Sequence, residues 1–238
     1  HQGIDVCVDL EHEPHDHNIG LKKSGCHGFC EMGPLLKIEP AGILYIKVKP
    51  EDCEEIVERS ILQDEVIDRL LYRLGDKVYP KQEEIPFYEK QTRIVLEHCG
   101  QMDAEDILEY LAKGGYSAFI KCLFSMTGEE VCQTIIDSGL RGRGGGGYPA
   151  GKKWDQVRRQ KEQTRYVVCN GDEGDPGAFM DRSIMEGDPH KVLEGMMIAG
   201  VATGAQNGYI YVRAEYPLAV ERLKIAINKA KEMGLLGE

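Results

Sequence analysis

Apolar residues recur along the chain at two spacings, and these spacings predict an alternation of strands and helices. A two-residue period bounded by turn-forming residues is typical of short strands. The predicted strands are Ile4–Leu10, Leu35–Ile38, Ile43–Val48, Tyr166–Cys169 and Tyr209–Arg213. A period near 3.6 residues predicts a helix beginning at Pro50 and further helices over Asp103–Ala112, Gly128–Asp137, His190–Ala202 and Pro217–Glu232.

Local signals fix several ends of these elements. Thr127 is a predicted N-cap for the helix that starts at Gly128, and Gly234 is expected to end the last helix. Pro50 suits the first turn of its helix. Residues 170–188 show no regular period and are predicted to form a polar loop.

The pattern divides the chain into two domains and a linker. Residues 1–74 hold strands and one helix, and residues 94–238 alternate helices with strands. Residues 75–93 combine two prolines with many charges and show no clear period, so they are predicted to be the linker. Strands that alternate with helices indicate an α/β fold.

Composition and charge exclude several classes of protein. The 238 residues include 29 Lys and Arg against 40 Asp and Glu, so the net charge is −11. Such an acidic chain repels phosphate backbones, which argues against a nucleic-acid binder. Apolar residues at 42% and charged residues at 29% are ordinary for a folded protein. Glycine is the outlier, with 28 residues, about 12% of the chain against a usual ~7%.

The eight cysteines are too few for a disulfide scaffold, so a reducing, cytoplasmic location is expected. No secretory leader is visible at the start of the sequence. The longest uncharged stretch, Gly195–Val212, is interrupted by glycines and polar residues, so it predicts a buried helix and a strand rather than a membrane span. The chain begins with His1 and is expected to be a piece of a longer protein.

A cluster of glycines and basic residues reads GLRGRGGGGYPAGKKW over 139–154, and we call residues 139–149 the glycine loop. Each glycine costs about 0.5–1 kcal/mol in regular structure, so four in succession favour close backbone approach to a ligand, with N–H groups toward phosphate. Between Arg141 and Arg165 there are eight basic residues and two acidic ones. The loop therefore predicts an anion site, and a flexible surface linker is the alternative.

Two phosphate-binding motifs match this region by letter but not by context. Residues 142–147 satisfy G-x-G-x-x-G, yet that motif follows a strand, whereas the preceding segment is predicted to be helical. Gly146–Lys152 satisfies G-x-x-x-x-G-K, but Lys153 stands where Ser or Thr would bind magnesium. A P-loop phosphotransferase therefore remains only as a remote alternative.

An acidic loop, NGDEGDPG over 170–177, follows the predicted strand Tyr166–Cys169. Open α/β sheets bind ligands at this end of their strands. The carboxylates of Asp172, Glu173 and Asp175 could hold magnesium, lie in a solvated loop, or accept hydrogen bonds from ribose and amide groups. Together with a cationic loop, the acceptor role favours a nucleotide or a flavin.

Three ordered motifs carry a resemblance to a known family. They are the glycine loop with the KKW that follows it, the YVVCNGDEGDPG segment over 166–177, and GYIYVRAEY over 208–216. Together they resemble the FMN-bearing, NADH-oxidising subunit of respiratory complex I and its soluble relatives in NAD-linked hydrogenases and formate dehydrogenases. The resemblance spans residues 103–237 and implies an incomplete Rossmann-like α/β FMN-binding domain over 94–238.

The resemblance also assigns residues to the cofactors. Tyr148 would stack on the adenine of the dinucleotide, and Asp175 stands where the family commonly has Glu near the nicotinamide. The residues implied to surround FMN are Gly142, Arg143, Gly144, Gly145, Lys153, Asn170, Asp172 and Glu173. The family's second flavin motif, its ubiquitin-like insert and its [4Fe–4S] cysteines are expected beyond residue 238.

Cys26 and Cys30 flank a turn ahead of the predicted strand Leu35–Ile38. A lone C-x₃-C is a weak signal that also fits a structural or zinc site. In this context, with EMGP after it, the pair resembles the second cysteine pair of a thioredoxin-like [2Fe–2S] ferredoxin, which implies an incomplete thioredoxin-like domain over 1–74. Such a cluster needs four thiolates, so Cys26 and Cys30 supply half of the site.

Other metal-ligating residues near the start are interpreted differently. Cys7 lies alone in a strand pattern and does not match the first cysteine pair, which is expected upstream of residue 1. His12, His15 and His17 stand among Glu, Pro and Asp, which indicates an exposed loop rather than a metal site.

The function implied by the resemblance is electron entry, in which NAD(P)H reduces FMN and iron–sulfur clusters receive the electrons. The ferredoxin-like segment makes the chain more similar to the subunits of soluble hydrogenases, electron-bifurcating ones included, and of formate dehydrogenases. Expected partners are NAD(P)H and other iron–sulfur subunits, among them a small thioredoxin-like [2Fe–2S] subunit, with no nucleic acid and no membrane span. A non-catalytic scaffold that docks such subunits is the alternative.

Overall fold

The computed structural model describes residues 20–237 as a mixed fold of helices and strands. The chain divides into two compact units, of which the first contains Cys26–Gly100 and the second contains Lys22–Gly25 with Gln101–Glu238. The predictions that lie outside the described residues are those for Ile4–Leu10, Cys7, His12, His15 and His17.

The first unit consists of two antiparallel hairpins and several short helices. The strands are β1 (Leu36–Ile38) paired with β2 (Ile43–Tyr45), and β3 (Tyr72–Leu74) paired with β4 (Lys77–Tyr79). Helix α1 (Cys53–Glu55) continues as a π-helical segment (Ile56–Ile61), and α2 spans Pro86–Glu89. Single 3₁₀ turns cover Cys30–Met32, Pro50–Asp52, Asp68–Leu70 and Gln82–Glu84.

Strand β2 supplies both cores of this unit because its side chains alternate between two faces. Tyr45 packs in one buried cluster, and Leu44 packs in the other with Tyr79, Ile85 and Tyr88. Three members of the second cluster lie within residues 75–93, the segment predicted to be a linker. That segment instead carries β4 and α2 and is packed into the first unit. The sequence pattern did not predict this, because the buried side chains of the segment follow no regular spacing.

The second unit contains seven helices among the described residues and one parallel pair of strands. The helices are α3 (Ile107–Ala112), α4 (Ser117–Ser125), α5 (Gly128–Asp137), α6 (Ala150–Arg158), α7 (Met180–Gly187), α8 (Pro189–Thr203) and α9 (Pro217–Glu232). The strands are β5 (Tyr166–Gly171) and β6 (Asn207–Val212), in register with Tyr166 opposite Asn207. Helices α7 and α8 form the crossover between them.

Helices α5 and α9 have the predicted bounds, because their end signals are local. Thr127 and Glu130 form a capping box at the start of α5, in which Glu130 Oε2 accepts from the Thr127 N–H at 2.7 Å. Gly234, two residues after α9, has φ +69°. The predicted helix over Asp103–Ala112 is shorter and begins at Ile107, because Asp103 is bridged to Ser24 instead.

The outer face of the β5–β6 sheet is exposed. Its side chains are Tyr166, Val168, Tyr209 and Tyr211, each more than half exposed. The opposite face packs on α8 and on the buried cluster that includes Met185 and Leu223. No helix within residues 20–237 has the length and apolar character needed to cross a bilayer.

Candidate cofactor site

The glycine loop lies between α5 and α6 and is closed at its base by backbone hydrogen bonds. The Gly142 N–H donates to the Tyr148 carbonyl and the Ala150 N–H donates to the Leu140 carbonyl, both at 2.9 Å. The Arg141 guanidinium adds a bond of 3.0 Å to the carbonyl of Gly147. A helix precedes the loop, as predicted, so the strand that both phosphate-binding motifs require is absent at this position.

Two glycines at the tip of this loop are required neither by packing nor by backbone conformation among residues 20–237. Gly145 and Gly147 have φ of +93° and +58°, which favour glycine. Gly144 and Gly146 have ordinary φ, both are exposed, and a Cβ placed on either would meet no atom within 4 Å. Packing and backbone conformation among residues 20–237 therefore give no reason for glycine at 144 and 146, which points to close approach by a ligand.

Some basic residues near the loop in sequence bind other groups of the chain, and others form no ion pair among residues 20–237. Arg158 and Arg159 lie 2.8 and 2.7 Å from the Asp155 carboxylate, and their hydrogen bonds keep the pKa of Asp155 below its usual range. Arg165 donates to the carbonyls of Thr203 and Gln160. Five cations form no ion pair within residues 20–237, and they are Arg141, Arg143, Lys152, Lys153 and Lys161.

Tyr148 lies within the glycine loop, and Lys153 lies in helix α6, which follows it. The Gln156 amide donates 2.9 Å to the Tyr148 hydroxyl, which fixes a ring that is 50% exposed. Lys153 is exposed in the first turns of α6, where its N–H donates to the Pro149 carbonyl. Both side chains are therefore free to contact a ligand at the loop.

The first two residues of the acidic loop are also the last two residues of β5. Asn170 Oδ1 accepts from the Asp172 N–H at 3.0 Å, which folds the loop back at its first turn. The side chains of Asp172 and Asp175 are exposed. Within residues 20–237 no group of three or more metal-ligating side chains is gathered, so the magnesium interpretation has no support from the geometry.

Glu173 has a different environment from the one its predicted flavin role requires. Its carboxylate accepts from the N–H groups of Asp181 at 2.9 Å and Arg182 at 3.1 Å. These are the first-turn donors of α7, so Glu173 caps a helix within the segment predicted to be a loop. The Glu173 side chain is directed at its own chain, while its neighbours Asp172 and Asp175 face solvent.

Arg213 joins the two strand ends and was given no role from the sequence. It follows β6, and its Nη1 donates to the Glu173 carbonyl at 2.7 Å. Its guanidinium also pairs with Glu215 at 2.9 Å, and the Tyr216 hydroxyl donates to Glu173 Oε2 at 3.3 Å. The only sequence signal was the position of Arg213 inside the YVRAEY motif.

The structure thus organises two separate loops. The glycine loop carries the predicted Gly142, Arg143, Gly144 and Gly145, and the acidic loop carries Asn170, Asp172 and Asp175. Within the described part of the chain, no hydrogen bond or ion pair connects one loop to the other.

In the first unit, Cys26 and Cys30 flank one turn. The Gly28 N–H donates to Cys26 Sγ at 3.3 Å, and Cys30 is exposed. His27 is packed against Gly100, its Nδ1 lies 3.1 Å from Gln82 Oε1, and burial lowers its pKa to about 4. Two thiols on one turn fit half of a four-thiolate cluster site.

Comparisons with known proteins show which sequences this chain is similar to. Residues 135–236 match the protein family described as the Nuo51 FMN-binding domain. The NADP-reducing hydrogenase subunit HndC of Solidesulfovibrio fructosivorans is 54% identical over 149 residues, 63% of this chain and 30% of that protein. A subunit of the NADH-quinone oxidoreductase of Rhizobium meliloti is 42% identical over 144 residues, 60% of this chain and 34% of that protein.

Among solved structures, an NAD⁺-reducing [NiFe]-hydrogenase in the air-oxidised state aligns with a TM-score of 0.48 and 24% identity, over 88% of this chain and 33% of that one. The chain spans about a third of the length of the curated relatives it matches. The resemblance stated from the three motifs is confirmed.

Proposed function

We propose that this chain is the flavin-binding part of an electron-entry subunit, in which FMN is reduced by NAD(P)H and re-oxidised by iron–sulfur clusters. The observation that carries the proposal is the tip of the glycine loop. Among residues 20–237 neither packing nor backbone conformation requires glycine at 144 and 146, and the neighbouring sequence positions include cations that form no ion pair there. A phosphate-bearing ligand uses both features, because it takes N–H donors at close range and positive charge.

The residues of both loops have complementary tasks in this proposal. Backbone N–H groups of the glycine loop, with Arg143 and Lys153, would hold the FMN phosphate. The amide of Asn170 and the carboxylate of Asp172 would bind the ribityl chain and the flavin edge. Glu173 contributes indirectly, since it fixes the start of α7 and the position of Arg213.

In the same proposal, Tyr148 and Asp175 would contact the dinucleotide. Tyr148 offers an exposed aromatic face held by Gln156, which suits stacking on adenine. The exposed carboxylate of Asp175 would accept hydrogen bonds near the nicotinamide. FMN, when bound, accepts a hydride and releases electrons singly, and the protein's share is binding, orientation and electrostatics.

Iron–sulfur chemistry belongs to the proposal through the first unit. Cys26 and Cys30 would be two ligands of a [2Fe–2S] cluster in a thioredoxin-like domain, a proposal supported by the hairpin β1–β2 and helix α1 that follow the cysteine turn. The proposal also includes diaphorase activity and a [4Fe–4S] cluster elsewhere in the protein. It further includes a cytoplasmic location and assembly with hydrogenase or formate dehydrogenase subunits.

The test compares flavin binding by the full-length protein with that of two loop variants. Gly144→Ala and Gly146→Ala should weaken FMN binding about tenfold or more, the equivalent of one charge-assisted hydrogen bond of about 1.4 kcal/mol. The thermal midpoint of the flavin-free protein should be unchanged, because neither added methyl group meets an atom within 4 Å. Flavin fluorescence quenching gives the affinity, and NADH-driven and NADPH-driven dye reduction gives the activity.

Gly195→Ala is the matched control. Gly195 is also exposed and without neighbours within 4 Å, but it lies in α8 away from both loops, so its substitution should leave FMN affinity unchanged. Wild-type protein that binds no flavin would refute the proposal and favour the scaffold alternative. Equal affinity in all three variants would show that the flavin is held elsewhere.

A further inference from the structure

Helix α6 has one side packed on the second unit and one side exposed to solvent. On the packed side, a Cβ at Gly151 would lie 2.6 Å from the backbone nitrogen of Ile136, so α6 lies directly against α5 there. Trp154 packs on the buried cluster to which α5 and α8 contribute. Lys152 and Gln156 are both exposed and four residues apart, so they lie one turn apart on the outer side of the helix.

The Tyr148 ring is tied to this outer side of α6. The Gln156 amide donates to its hydroxyl at 2.9 Å, and the Tyr148 carbonyl separately accepts from the Gly142 N–H at 2.9 Å. Residues four apart on a helix have Cβ atoms about 5–6 Å from each other, so Lys152 stands next to the residue that holds the tyrosine. A ligand stacked on the exposed Tyr148 ring therefore lies within reach of a lysine side chain at position 152.

The charge of Lys152 is not neutralised by its own helix. Lys152 forms no ion pair among residues 20–237. The one acidic residue of α6 is Asp155, whose carboxylate lies 2.8 Å from Arg158 and 2.7 Å from Arg159. Because two guanidinium groups already hold this carboxylate, it is available neither to Lys152 nor to a ribose hydroxyl. The side of α6 that holds Tyr148 is therefore cationic.

Charge at the adenosine end distinguishes the two nicotinamide dinucleotides. NADPH differs from NADH by a phosphate on the 2′-oxygen of the adenosine ribose. A carboxylate at this position accepts from the 2′-hydroxyl of NADH, whereas a cation accommodates the 2′-phosphate of NADPH. We propose that Lys152 pairs with the 2′-phosphate of a dinucleotide stacked on Tyr148 and so makes NADP(H) the preferred dinucleotide. Lys152 has this role only if Tyr148 stacks on the adenine, so the assignment rests on the proposed function.

The direct test measures the binding of two probes that differ only in the 2′-phosphate. Isothermal titration calorimetry of the full-length protein with FMN bound gives the dissociation constants of ADP-ribose and of 2′-phospho-ADP-ribose. Wild type should bind the phosphorylated probe more tightly. In Lys152→Gln this advantage should fall about tenfold, through the loss of one charge-assisted hydrogen bond. An unchanged ratio of the two dissociation constants would overturn the inference.

Steady-state dye reduction checks that the preference extends to turnover. The ratio of kcat/KM for NADPH to kcat/KM for NADH should fall in Lys152→Gln, and it should fall further in Lys152→Glu, because a carboxylate repels the phosphate. Lys152→Arg keeps the charge and should keep the ratio. The preference of wild type for NADPH should also decrease as salt is added, since the pairing is electrostatic and exposed to solvent.

Lys161→Gln is the matched control. Lys161 is also exposed and forms no ion pair among residues 20–237, but it lies beyond the end of α6. Its substitution removes the same charge and should leave both ratios unchanged. An equal loss of preference in Lys161→Gln would show that overall charge sets the preference rather than a contact at Lys152, and this would overturn the inference.

The failures of the two proposals are distinguishable. Full-length protein that binds FMN and both probes, with the same binding ratio in wild type and Lys152→Gln, overturns the inference and leaves the proposed function intact. Weaker FMN binding by Lys152→Gln at an unchanged ratio would assign Lys152 to the flavin phosphate instead, which also overturns the inference. Wild-type protein that binds no FMN refutes the proposed function, and the inference falls with it.

Discussion

The buried carboxylate of Glu194, in helix α8, accepts hydrogen bonds from α3 and from the start of α4. It accepts from the Tyr110 hydroxyl at 2.5 Å and from the N–H groups of Tyr116 and Phe119 at 2.8 and 3.1 Å. His190 lies beside it, with Nδ1 2.8 Å from the Tyr116 hydroxyl oxygen and its ring stacked on Tyr110. Because these groups are buried and several of them share one carboxylate, their hydrogen bonds are energetically coupled.

His190 predicts a pH dependence of stability. Burial lowers its pKa to about 4 from an ordinary value of 6.5. Between these values the unfolded chain binds a proton that the folded chain does not, so the contribution is complete above pH 6.5 and is lost as the pH falls toward 4. The loss should reach about 3 kcal/mol, measured as the free energy of unfolding in denaturant at several pH values.

His190→Gln isolates this effect. Glutamine still offers a polar partner to Tyr116 but does not titrate, so the variant should show a shallower fall in stability between pH 6.5 and 4. His27, whose pKa is lowered likewise, remains in both proteins and contributes equally to their curves. Parallel curves for wild type and variant would contradict the assignment.

At the scale of elements, helix α7 is capped by a residue that lies several positions before its first turn. Glu173, which lies well upstream of the helix in sequence, accepts from the N–H groups of Asp181 and Arg182. Glu173→Ala should lower the free energy of unfolding by about 1 kcal/mol, since two first-turn donors lose their acceptor. Asp175→Ala, with an exposed side chain in the same loop, should leave it unchanged.

Amide hydrogen exchange provides the local measurement for this prediction. The amides of Asp181 and Arg182 should exchange faster in Glu173→Ala while those of α9 keep their protection. Unchanged exchange at both amides would mean that the carboxylate does not cap α7.

A comparison of α7 with α5 and α9 shows which helix ends the sequence could predict. The ends of α5 and α9 were predictable because Thr127, Glu130 and Gly234 act on adjacent backbone. Helix α7 was not, because its acceptor comes from a residue that only the fold brings close. The site follows the same rule: the glycine loop was recognisable from composition alone, whereas the inward orientation of Glu173 and the role of Arg213 depend on tertiary contacts.

At the scale of the whole molecule, a short segment ahead of Cys26 belongs to the second unit. Residues Lys22–Gly25 are held there by Arg222, which is 6% exposed. Arg222 donates to the carbonyls of Lys23 and Ser24, each at 3.3 Å, and to that of Glu186 at 2.5 Å. One guanidinium thus ties two stretches of chain that are far apart in sequence.

Arg222→Lys should release this segment although it conserves the charge, because an ammonium group cannot reproduce the fork of a guanidinium. The expected results are faster hydrogen exchange at the amides of Lys23 and Ala104 and a loss of about 1–3 kcal/mol in the free energy of unfolding. Lys224→Ala, at an exposed position of the same helix, is the control and should change neither quantity. Full protection of both amides in Arg222→Lys would contradict the assignment.

The edges of the β5–β6 sheet have a consequence for the chain at high concentration. Among residues 20–237 these two strands pair only with each other, so each has one edge of unpaired N–H and C=O groups. Exposed tyrosines lie on the outer face of both strands. Natural proteins protect such edges because they template pairing between molecules. Prepared alone, this chain should aggregate edge to edge, and a charged residue at position 168 or 209 would be the place to prevent it.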